Sequence, residues 1–212
     1  GLQSLAWDLR TTPITSFDGM ILWGAGTAGP AVPPGRYTVR LTADAQVLTA
    51  PLTVRRNPLL PEVSDADLVA QYTFGRQVRD RAEQANQAVI EIRRVKTQLD
   101  DRIARAESDR RLARDGATLR TNASAVEENV YQVRNQSGQD PLNFPIKVNN
   151  RLANLLAMAE RGDGRPTTYM PEIFGILSEE LKGYETTLAE VWRRDLGAVN
   201  AHLARLGLPP ID

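Results

Sequence analysis

The chain has 212 residues, with 26 basic and 26 acidic side chains and a formal net charge of zero. This length fits one large or two small domains, and the balanced charge argues against a dedicated nucleic-acid binder, which would carry a basic excess. Cysteine is absent and His202 is the single histidine, which excludes disulfides, thiolate metal sites and sites that need several histidines. We therefore expect no cofactor and no metal, and the case for an enzyme is weak.

The first part of the chain, residues 1–57, has the pattern of short β-strands separated by glycine and proline turns. Residues 36–41 alternate between polar and apolar side chains, and shorter apolar runs occur at residues 5–9, 20–23 and 46–54. Alternation with a period of two is typical of half-buried strands. The pattern predicts a small antiparallel β-sandwich of the immunoglobulin type, truncated at its N-terminus. The lack of an initiator Met also fits a piece of a longer protein.

A proline-bounded linker is predicted at residues 58–63, followed by helices. Ser64 and the acidic side chains after it are typical of a helix N-cap. Apolar residues then recur every three or four positions, which predicts one long helix over about 64–114, two shorter helices and a second long helix over about 166–206. The predicted fold class is α+β: the immunoglobulin-like β-sandwich is followed by an antiparallel helical bundle with two long helices in residues 64–212.

A glycine-rich loop follows the second predicted strand. Gly24, Gly26 and Gly29 match the letters of a dinucleotide-binding loop, but that loop must open a helix, and Pro30 and the prolines after it prevent one. The loop is therefore interpreted as a connection between strands. Together with Trp23 it provides a candidate interaction surface made of Trp23, Gly26, Gly29 and Pro30.

No catalytic constellation emerges from the titratable residues. Adjacent acidic pairs, such as Glu127 and Glu128, diverge on a helix and indicate a solvated face. His202 lies near the end of the last helix, where a cation is favourable. The aromatic side chains of the β region, including Trp7 and Trp23, fit either the core of a small sandwich or a platform for sugar rings.

Several segments together resemble a known family. The carrying motifs are Trp7-Asp-Leu-Arg10, Phe17-Asp-Gly-Met20, Pro34-Gly-Arg-Tyr37, the segment from Tyr131 to Ile146, and Asn149-Asn-Arg-Leu-Ala153. This combination resembles the C-terminal immunoglobulin-like and helical region of bacterial sortilin-like β-propeller proteins, which are exported and carry neuraminidase repeats labelled as glycosyl hydrolases. The propeller repeats themselves have no counterpart here, so no catalytic residue is carried over.

The resemblance implies a non-catalytic structural or interaction module of an exported bacterial protein, in the periplasm or outside the cell. We expect protein partners, no nucleic acid and no membrane span. The module would act as an accessory subunit or docking domain of a larger assembly, for example a photosynthetic or respiratory membrane complex. The alternative is a carbohydrate-binding part of a sortilin-like glycosyl hydrolase, with Trp23 and the loop of residues 24–30 as its site.

Overall fold

The computed structural model describes residues 4–106 and 108–212. Two strands come first in the chain, and the helices follow. Their bounds are β1, Gly35–Ala43; β2, Gln46–Val54; α1, Asp65–Arg105; α2, Arg110–Val130; α3, Val148–Ala159; α4, Tyr169–Val191; and α5, Gly197–Arg205. A short 3-10 turn, Asp140–Leu142, precedes α3, and a π-helical turn, Trp192–Leu196, joins α4 to α5.

The helices form because their ends are capped and one face of each is apolar. The Ser64 side chain accepts the backbone N–H of Asp67, and the Asp67 side chain accepts that of Ser64, which makes a capping box at the start of α1. The Asp109 side chain accepts the N–H of Leu112 and starts α2 in the same way. The predicted stripe on α1 is buried, at Val78, Ala82, Ala85, Val89, Ile92, Val95 and Leu99. It packs against α2, α3 and α4.

The prediction of one helix over about 64–114, which would end just before Gly116, is wrong, because the chain turns between α1 and α2 instead. Gly116 lies inside α2 and is buried. A Cβ added there would come within 3.0 Å of Ile103 and 3.1 Å of Leu99. This glycine therefore allows two helices to approach closely and does not end one.

The predicted immunoglobulin-like sandwich is also wrong. The described residues contain one two-stranded antiparallel sheet, β1 paired with β2, and one isolated bridge between Arg10 and Ala31. The runs at residues 5–9 and 20–23 form no strands. Two apolar side chains of this region pack on the helices instead: Ile14 is buried in the helical core and Phe17 lies against it. The domain division at residues 58–63 stays a prediction.

Candidate interaction surface

Residues 10–31, here called the strap, lie across the bundle as irregular chain. Arg10 binds both the strap and α3's end, since its Nη1 donates to the carbonyl of Gly29 and to Glu160 Oε2, each at 2.8 Å. Glu160 Oε2 also accepts the N–H of Ala31 at 3.0 Å. An irregular segment must find partners for its backbone groups outside regular ladders. Here the Arg10–Glu160 ion pair supplies them to the carbonyl of Gly29 and the N–H of Ala31, at the C-terminal end of the strap.

Side chains from three helical regions hold the middle of the strap. The amide of Asn150 accepts the N–H of Trp23 at 2.7 Å and donates to its carbonyl at 3.0 Å. The hydroxyl of Tyr131 accepts the N–H of Ile21 at 3.0 Å and donates to the carbonyl of Gly19 at 2.9 Å. The Asn86 amide donates to the carbonyl of Thr15 at 2.7 Å. Side chains of the helical regions therefore bind backbone groups of the strap that a neighbouring strand would bind in a sheet.

The carboxylate of Glu83 on α1 also binds the strap. Its carboxylate accepts both the N–H and the hydroxyl of Thr15, each at 2.7 Å. Partial burial raises the pKa of Glu83, but the hydrogen bonds from Thr15 and Gln87 and the charge of Arg79 together outweigh it, so the pKa lies below its usual value. The carboxylate is thus held in its charged form.

The four residues of the sequence-based candidate surface are divided between the exterior and the interior. Trp23 is 36% exposed, and Gly26 is exposed with open space around it. Gly29 and Pro30 are buried. A Cβ on Gly29 would lie 2.5 Å from the carbonyl oxygens of Thr11 and Thr12, so Gly29 is a packing residue of the strap. A role of these residues in binding stays a prediction.

A much larger exposed surface lies on the β1–β2 hairpin, which the candidate set missed. In the observed register Tyr37 faces Leu52, Val39 faces Ala50, and Leu41 faces Leu48. These odd-numbered β1 positions and their partners share one face of the sheet, and that face is apolar. Its outer part is open, with Val39 49%, Leu41 57% and Leu48 62% exposed. The alternation in the sequence already indicated this face, but the expected sandwich would have covered it.

The opposite face of the hairpin is mainly polar and basic. It carries Arg36, Thr38, Arg40 and Thr42 from β1 and Val47, Thr49, Pro51 and Thr53 from β2. Arg36 and Arg40 form no ion pair with the described residues, in contrast to Arg56, whose Nε lies 3.9 Å from Asp65 Oδ1. At the base of the hairpin a cleft of about 630 Å³ is lined by Arg36, Arg55 and Arg56 together with Asp65. The arginines outnumber the carboxylate there, and an excess of positive charge favours anionic groups.

The buried charged groups, by comparison, are paired within the chain. Glu127 accepts from Arg93 Nε at 2.7 Å and from Lys96 Nζ at 2.6 Å. His202 Nε2 lies 3.0 Å from Asp109 Oδ1. The N–H of Leu112 and then His202 hold the pKa of Asp109 below its usual value. These are pairs that join neighbouring helices, and we assign them a structural role.

Asp195 is a further paired group, in the π-helical turn. It binds Arg194 at 2.7 Å and the amide of Asn122 at 2.7 Å. Arg194 is the main cause of the lowered pKa of Asp195, and the Asn122 amide adds to it against the opposing effect of burial. Among residues 4–106 and 108–212, no three His, Asp or Glu side chains are placed to hold a metal ion together.

Comparisons with known proteins assign no function to this chain. Neither a family model, nor a curated protein, nor a solved structure matches this chain. The resemblance to sortilin-like proteins therefore stays a prediction. Within the described part of the chain, no helix has the length and apolar character needed to cross a membrane.

Proposed function

We propose that this chain is a non-catalytic protein-binding module that docks on its partner through the apolar face of the β1–β2 hairpin. The observation that carries the proposal is the exposure of Val39, Leu41 and Leu48 on one face of a regular hairpin. Contiguous apolar surface of this kind marks interaction sites on soluble proteins. A lone two-stranded hairpin with water on both faces is marginally stable, so a covering partner would stabilise it.

The base of the hairpin is held by contacts within the N-terminal region. Trp7 packs edge-on against Tyr37 with ring centroids 6.1 Å apart, and the Tyr37 hydroxyl donates to the carbonyl of Pro33 at 2.6 Å. These contacts fix the base of the hairpin and leave its outer end projecting. In line with the family resemblance, we propose that the partner belongs to an assembly of exported bacterial proteins, in which this chain is an accessory subunit or docking domain.

Carbohydrate binding receives less support from the geometry. A sugar platform needs the flat face of an aromatic ring to be open, and Trp23 is only 36% exposed. The exposed aromatic Trp7 stands edge-on to Tyr37, at an interplanar angle of 68°. The two rings therefore do not form a common flat surface.

A site-specific photo-crosslinker tests the proposal in the cells that produce the protein. We expect one adduct of defined mass when the crosslinker replaces Leu48, and none when it replaces Ile176, a control on α4 that is 59% exposed, close to the 62% of Leu48. The adduct at position 48 should fall at least about tenfold in the Leu41→Asp variant, since a charge cannot be buried in an apolar interface without a partner. Equal labelling at both positions, or none at position 48, would contradict the proposal.

A further inference from the structure

The geometry points to the way in which the partner binds, an inference that rests on the proposed function. We propose that the partner adds a strand to the outer edge of β1, and that this strand alternates apolar residues with carboxylate residues that face Arg36 and Arg40. The partner is thus an extended segment of another protein, with acidic side chains at every second position.

The turn of the hairpin determines which backbone groups of β1 are free. Ala43 pairs with Gln46, so the loop has the two residues Asp44 and Ala45, and Asp44 has the positive φ of 51° that such tight turns need. The pair that closes a two-residue loop exchanges both hydrogen bonds, and bonded and non-bonded pairs then alternate along the ladder. Residues an odd number of positions from Ala43 therefore have N–H and C=O groups that point away from β2. These residues are Arg36, Thr38, Arg40 and Thr42.

Pro51 agrees with this alternation of inward- and outward-facing backbone groups. It also distinguishes the outer edge of β2 from the outer edge of β1. It lies inside β2 opposite Thr38, and a proline has no N–H to give to a ladder, so it fits only where the missing donor faces outward. The outer edge of β2 is consequently interrupted at its centre. The outer edge of β1 contains no proline, and no backbone hydrogen bond from the described residues reaches Arg36, Thr38, Arg40 or Thr42 on that side. Strand addition is therefore favoured at β1.

The side chains beside this edge define the chemistry of the added strand. Arg36 and Arg40 lie on the same face, about 13 Å apart along the strand. Neither forms an ion pair with the described residues, and Thr38 between them is neutral. On the opposite face the neighbours are Tyr37, Val39 and Leu41. A strand paired beside β1 would be stabilised by carboxylates on the first face, because cross-strand neighbours of opposite charge attract, and by apolar side chains on the second.

A second copy of this chain fits the edge poorly. Pairing β1 with another β1 would place four arginines on one face of the joined sheet, where β1 offers no carboxylate. The occupant is therefore a different protein.

Peptides of defined sequence test the chemistry with the full chain. The probe is an eight-residue, end-capped peptide of alternating Val and Glu, and its control is the same peptide with Lys in place of Glu. We expect the Val/Glu peptide to bind with a Kd below about 1 mM and the Val/Lys peptide to bind at least about tenfold more weakly. Methylation of those alternate peptide nitrogens that face β1 should abolish binding, since main-chain hydrogen bonds carry strand addition. If the Val/Glu peptide does not bind, or the two peptides bind equally, the inference is wrong.

Two variants localise the edge. Thr38→Pro removes an outward donor of β1, opposite Pro51, and Thr49→Pro removes an outward donor of β2, two residues from Pro51. We expect Thr38→Pro to lose the Val/Glu peptide and Thr49→Pro to retain it. Reversal of charge in R36E/R40E should move the preference to the Val/Lys peptide, a gain of binding that an unfolded variant would not show. Equal loss in both proline variants, or no change of preference, overturns the inference.

The photo-crosslinking result separates this inference from the proposed function. If the crosslinker at position 48 still labels the partner in the Thr38→Pro and R36E/R40E variants, the hairpin binds by its apolar face alone, and strand addition at β1 is excluded while docking through the hairpin stands. If labelling at position 48 is absent in the unmodified chain as well, the docking function itself fails.

Discussion

The strap and the hairpin are neighbours in sequence and similar in composition, but their backbones are satisfied in opposite ways. In the strap, residues 10–31, the hydrogen bonds run mainly to side chains of the helices, such as Asn150 and Tyr131. In the hairpin, residues 35–54, they run between β1 and β2. The first region is therefore part of the bundle, and the second is an independent ladder with open faces. Similar local patterns led to different structures because their backbone groups found different partners.

The positions of turns, prolines and glycines explain why the hairpin forms a ladder and the strap does not. The hairpin has one tight turn, at Asp44 and Ala45, between two uninterrupted runs of nine residues. The strap is interrupted by Pro13, Gly19 and Gly24, the last two with positive φ, so no run is long enough for a ladder. The amide side chains of Asn86 on α1 and Asn150 on α3 instead supply hydrogen-bond partners to the backbone of the strap.

The largest effect in this comparison is expected from Gly29→Ala, which should break the strap. Its Cβ would meet the carbonyl oxygens of Thr11 and Thr12 at 2.5 Å, and backbone atoms held on the bundle cannot move aside easily. We expect a loss of about 2–4 kcal/mol in the free energy of unfolding, at the upper end of the cost of overpacking. Chemical denaturation of the full chain measures it.

Gly26→Ala is the matched control, because it makes the same chemical change three residues away. No atom lies within 4 Å of the added Cβ, and the backbone of Gly26 lacks a positive φ. We expect its unfolding free energy to stay within about 0.5 kcal/mol of the parent. A similar loss in both variants would show that the strap does not depend on the close approach at Gly29.

A smaller, pH-dependent effect is expected from the bond between Glu83 and Thr15. Because the pKa of Glu83 is lowered in the folded chain, its contribution is fully present above its ordinary pKa near 4.5 and is lost as the pH falls through the folded value. Near neutral pH, Glu83→Gln should cost about 1–2 kcal/mol, as expected for a hydrogen bond to a charged group. The difference between parent and variant should shrink in denaturation experiments at about pH 3.

The Thr15 amide reports on the same bond directly. Its proton chemical shift should titrate in the parent with a midpoint below 4.5 and should lose this transition in Glu83→Gln. A midpoint above that value, or a stability difference that does not change with pH, would mean that the carboxylate does not hold the strap.

The sequence was sufficient for features that depend on nearby residues. The capping box at Ser64 and the buried stripe of α1 follow from local spacing, and the alternation at residues 36–41 lies in β1. Each of these features is decided within a few positions along the chain, where period and capping rules apply.

The features that sequence analysis missed depend on residues far apart in the chain. Gly116 resembles a helix break, and only the approach of Leu99 and Ile103 explains its place inside α2. The sequence of the strap resembles that of short strands, and only its hydrogen bonds to Asn86 and Asn150 explain why it lies on the helices. One signal was available: Asn86 interrupts the apolar stripe of α1, and a buried polar side chain needs a partner. The candidate surface failed to include the hairpin because the predicted sandwich would have covered that face.

The smallest effect is expected from the hairpin itself, in the double variant Leu41→Ser and Leu48→Ser. The two side chains face each other across the ladder, with 57% and 62% of their surface exposed, so folding buries little of them and their loss should change the unfolding free energy by less than about 1 kcal/mol. The same variant should weaken the adduct at position 39 when a crosslinker replaces Val39. A cost comparable to that of Gly29→Ala would show that the apolar face is already covered within the chain, and the contrast between a bound strap and an open hairpin would then disappear.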